Sequence, residues 1–71
     1  MKEEEIVLRN WEALKPLVLA KWNKLRRSEL EGIQPVMKEL IDIIHHRYAD
    51  MPRLTLVQEI LNLDEQILKN R

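Results

Sequence analysis

The sequence predicts an all-α protein, a small four-helix domain with a kinked or broken first helix, a short second helix and two longer helices. Three observations carry that expectation. Apolar residues recur at spacings of three and four along most of the chain. Turn chemistry is sparse, with one glycine, three prolines, one serine and one threonine in 71 residues, so repeated strand–turn punctuation is missing. Finally, Trp11 and Trp22 stand eleven residues apart, close to three helical turns, so both indoles can share one helix face.

The first segment reads as helix from about Glu3 to Leu25. Val7, Trp11, Leu14, Val18, Trp22 and Leu25 make one stripe. Glu3, Glu4 and Glu5 suit the positive end of the helix dipole, and Lys21, Lys24, Arg26 and Arg27 suit the negative end. Pro16 conflicts with this. It has no amide proton and its ring clashes with the carbonyl of Glu12, so two helical pieces with a bend near Lys15–Pro16 are expected.

Ser28-Glu29-Leu30-Glu31 reads as a capping box, with Ser28 as N-cap and Glu31 reaching back. The helix must be short, because Gly32 and Pro35 follow closely. Pro35 suits the first position of the third helix, where a missing amide proton costs nothing. That helix is expected from Pro35 to about Tyr48, with Val36, Met37, Leu40, Ile41, Ile44 and Tyr48 on its buried face.

The last helix opens at Pro52 or is capped by Thr55 with Gln58, and runs to about Lys69. Its apolar residues form two rows, Leu54/Val57/Leu61/Leu68 and Leu56/Ile60/Leu63/Ile67, on the order of 100° apart. Such a face is wide for a helix covering one small core. The chain 1–71 is read as a single domain without repeat or linker.

At these residues the chain resembles a known family. The run Trp11-x-x-Leu14-Lys15, Lys21-Trp22-x-Lys24-Leu25, Glu29-Leu30, Ile33, Leu40 and Ile44-x-x-Arg47-Tyr48 is similar to the CsbD-like general stress proteins of bacteria. The resemblance covers roughly residues 10 to 60 and implies a compact four-helix cytoplasmic domain. It further implies induction under stress and no established biochemical activity. Pro16, Asn23, Asp42 and Ala49 stand where the family commonly has glycine, and Arg26 where it has threonine. The chain therefore reads as a divergent member.

Composition narrows the function classes. Twelve basic and twelve acidic side chains cancel, which argues against a nucleic-acid binder. The absence of cysteine excludes disulfides and thiolate metal sites. No apolar run approaches the roughly 18 residues of a membrane span, and the acidic start does not look like a secretory signal, so a cytoplasmic location is expected.

Candidate sites are few. Covalent chemistry needs a nucleophile beside a base; of the two hydroxyl residues, Ser28 is expected as a helix cap and Thr55 is one of two alternatives for starting the last helix. His45 and His46 are adjacent and point about 100° apart, so they cannot jointly chelate a metal. Asp42 with His46 has the i, i+4 spacing, yet zinc wants three or four ligands. No catalytic centre, cofactor, metal or small-molecule substrate is expected. The row Leu56, Ile60, Leu63 and Ile67 either caps the core of its own chain or is a two-fold dimer contact, or one for another protein. Lys21, Lys24, Arg26 and Arg27, with Trp22 among them, form the alternative, an accessory site for nucleic acid or an anionic membrane surface. The expected function is that of a non-enzymatic protein acting through protein contact, of the stress-response type that the resemblance to CsbD-like proteins implies.

Overall fold

In the computed structural model, residues 6–70 are described. Four helices follow in order: α1 (Trp11–Lys21), α2 (Arg27–Glu31), α3 (Met37–Arg47) and α4 (Arg53–Lys69). The all-α expectation holds. The extended structure among the described residues is one antiparallel bridge between Val7 and Val36. α4 packs against both α1 and α3, and α1 also meets α2.

α1 starts later than the periodicity suggests. The acidic residues assigned to its first turn, Glu3, Glu4 and Glu5, lie outside the described residues, and Ile6–Leu8 are not helical. Leu8 N–H donates to the Pro35 carbonyl at 2.7 Å, and Met37 N–H donates to the Ile6 carbonyl at 2.9 Å. The second bond satisfies the first amide of α3, one of the donors every helix start leaves without an internal partner. Leu8 is thereby held in the core, while Val7 points to solvent. Val7 therefore does not belong to the inward stripe. The expectation that Pro35 opens α3 is likewise corrected. Pro35 accepts a bond from Leu8 in the extended stretch before the helix, and Val36 is the N-cap.

Pro16 does not divide α1, which runs unbroken from Trp11 to Lys21. A proline deprives the carbonyl four residues earlier, here Glu12, of its helical donor. Glu12 and Pro16 are both exposed, so water can serve that carbonyl. What ends the helix lies downstream. Trp22 is the C-cap, its N–H bonded to Val18 O at 2.8 Å, and Leu25 N–H closes a turn onto Trp22 O at 3.0 Å. Leu14, Val18, Trp22 and Leu25 all face inward, although the last two lie beyond the helix. Trp11 is only half-buried.

α2 begins one residue before the expected cap. Arg26 is the N-cap, and its N–H is accepted by Glu29 Oε1 at 2.9 Å. Its carbonyl takes the Glu29 N–H at 3.0 Å. Half of a capping box is therefore made by Glu29 rather than Glu31, and Ser28 is an exposed residue of the first turn instead of the cap. Gly32 closes this helix by donating to Ser28 O at 3.1 Å.

α3 buries Met37, Leu40, Ile41 and Ile44 completely, with Val36 and Tyr48 half-buried at its ends. Pro52 is the N-cap of α4, accepting from Leu56 N–H at 3.2 Å, so proline rather than Thr55 sets this start. No polar or charged side chain is buried among the described residues. The side chains of the interior contribute through apolar burial, about 25 cal/mol per Å² removed from water.

Trp22→Ala should cost about 3–5 kcal/mol, as large core truncations do, and that is a large share of the stability of so small a domain. Urea unfolding of the variant measures this; a loss of a few tenths of a kcal/mol would contradict the inward placement of Trp22.

Candidate functional site

The basic cluster comes apart once its partners are seen. Lys21 Nζ lies 2.9 Å from Glu59 Oε2 on α4 and 5.7 Å above the ring of its neighbour Trp22. Arg27 Nε pairs with Glu31 Oε1 at 3.3 Å within α2. Lys24 Nζ sits 5.3 Å above the Tyr48 ring, and its backbone N–H donates to the Tyr48 hydroxyl at 3.1 Å. At Arg26 the feature that matters is the backbone N–H already given to Glu29. Trp22 itself is 2% exposed and cannot stack a base. Three of the four cations thus have anionic or aromatic neighbours, and the aromatic they were to act with is inside the protein.

The histidine neighbourhood is also occupied. Asp42 does not turn to His46; its carboxylate takes Lys38 Nζ at 2.9 Å and Arg53 Nη1 at 2.8 Å. It thereby joins α3 to the start of α4. Among the described residues, no three His, Asp or Glu side chains gather closely enough to hold a metal ion. A groove of about 200 Å³ lies between α1 and α2, lined by Glu12, Lys15, Pro16, Leu19 and Arg27. Its two cations are engaged, Lys15 with Glu12 at 3.2 Å and Arg27 with Glu31.

α4 carries the main correction. Of the row expected as a dimer contact, Leu56 and Ile60 are fully buried in the chain's own core, and Leu63 and Ile67 are half-buried against it. That row covers its own domain. The other row faces outward, with Leu54 72%, Leu61 40% and Leu68 53% exposed, while Val57 is half-buried. Spacing does not distinguish the two rows: 56/63 and 60/67 stand seven apart as 54/61 and 61/68 do, and 54, 57 and 61 alternate threes and fours like the inner row. Burial does. Polar Gln58 and Glu65 lie between the outward leucines.

Two carboxylates titrate low for reasons visible in the geometry. The Arg26 N–H holds the Glu29 carboxyl below its ordinary value; desolvation opposes this, and Arg47, 3.2 Å away, lowers it further. Lys38, and then Arg53, lower Asp42 in the same way. Comparison with known proteins adds no relative: no family model matches the chain, and no curated protein or solved structure matches it significantly.

Carboxylates with depressed folded-state pKa values favour the folded state above their unfolded values near pH 4, and that contribution fades as pH falls through the folded values. The urea midpoint should therefore hold between pH 7 and about 5 and drop below pH 4. The double variant Glu29→Gln/Asp42→Asn should drop less steeply; an unchanged acid slope would show that these contacts do not carry it.

Proposed function

We propose that this protein is a non-enzymatic protein-contact module whose contact face is the outer row of α4. The observation that carries the reading is the exposure of Leu54, Leu61 and Leu68 on one side of a single helix. Scattered apolar side chains on a surface need no explanation, but these three leucines lie along one side of a helix already anchored by another face, with Gln58 and Glu65 between them. Together they leave roughly one and a half leucine side chains' worth of surface in water. Covering it is worth on the order of 2–5 kcal/mol per chain, enough to support a contact but not to make it permanent.

Other features support the same reading. The interior described above is entirely apolar, which suits a structural core and offers no shielded acid or base for chemistry. The likeness of the Trp11-to-Tyr48 pattern to CsbD-like proteins supports a stress-associated role in a bacterial cytoplasm. The accessory anion-binding alternative loses support from the pairing of Lys21 with Glu59 and Arg27 with Glu31. No helix among the described residues is long and apolar enough to cross a membrane.

Replacing Leu61 with a photo-crosslinking residue should yield a protein adduct in cells, whether with this chain or another. The same residue at exposed Ser28 should yield none, and adding Leu54→Glu and Leu68→Glu should abolish the adduct without loss of helicity. Equal yields from positions 61 and 28 would contradict the contact face.

A further inference from the structure

We draw no further inference here: the strongest candidate, the outward row of Leu54, Leu61 and Leu68 on α4, is already the contact face proposed above, and nothing in the structure shows what covers it.

Discussion

The chain leaves α1 at Trp22 with the indole turned inward, and much of the architecture follows from that placement. Trp22 closes the helix through its N–H to Val18 and opens the following turn through its carbonyl to Leu25. Both Trp22 and Leu25 are nearly inaccessible to solvent. The irregular stretch between α1 and α2 is thus part of the core rather than a loop laid over it. Its exposed side is fixed by Tyr48, whose hydroxyl accepts the Lys24 N–H from the far end of α3. With no buried polar side chain among the described residues to impose register, the size and shape of apolar groups do so, and an indole is the largest such group available here.

Much of this was legible in the sequence because burial follows periodicity. The inward residues of α3, and Leu14, Val18, Trp22 and Leu25, are the ones that spacing picks out. The misreadings are equally physical. Spacings of three and four continue through Trp22 and Leu25, yet a tight turn places side chains inward as readily as a fourth helical turn does. Pro16 weighed too heavily because the cost of a missing donor depends on whether water reaches the orphaned carbonyl. The cap of α2 was assigned to Ser28 on residue type, whereas Glu29 supplies the acceptor and a backbone carbonyl completes the turn. The extended pairing of Ile6–Leu8 with Pro35–Met37 left no local signal, being made by backbone groups thirty residues apart.

For the candidate surface, the packing decides what the sequence leaves open. Lys21, Lys24, Arg26 and Arg27 look like a patch in sequence, but Glu59 of α4 and Tyr48 at the end of α3 meet Lys21 and Lys24, and Glu31, one turn along α2, pairs with Arg27. The two apolar rows of α4 are alike in content and in spacing, so only the packing of the helix tells them apart. Leu56, Ile60, Leu63 and Ile67 join the domain's own core, and Leu54, Leu61 and Leu68 are turned outward. Solvent-facing leucines cost a small protein solubility, and we propose that their alignment on one helix gives α4 a contact face beside the face that closes the core.

The central claim, that Trp22 is the inward structural anchor of the fold, is tested most directly by iodide quenching in a Trp11→Phe variant, where Trp22 is the sole indole. The account predicts blue-shifted emission and almost no quenching in the folded state, with full quenching after urea unfolding. Quenching of the folded protein as strong as that of the unfolded chain would contradict it.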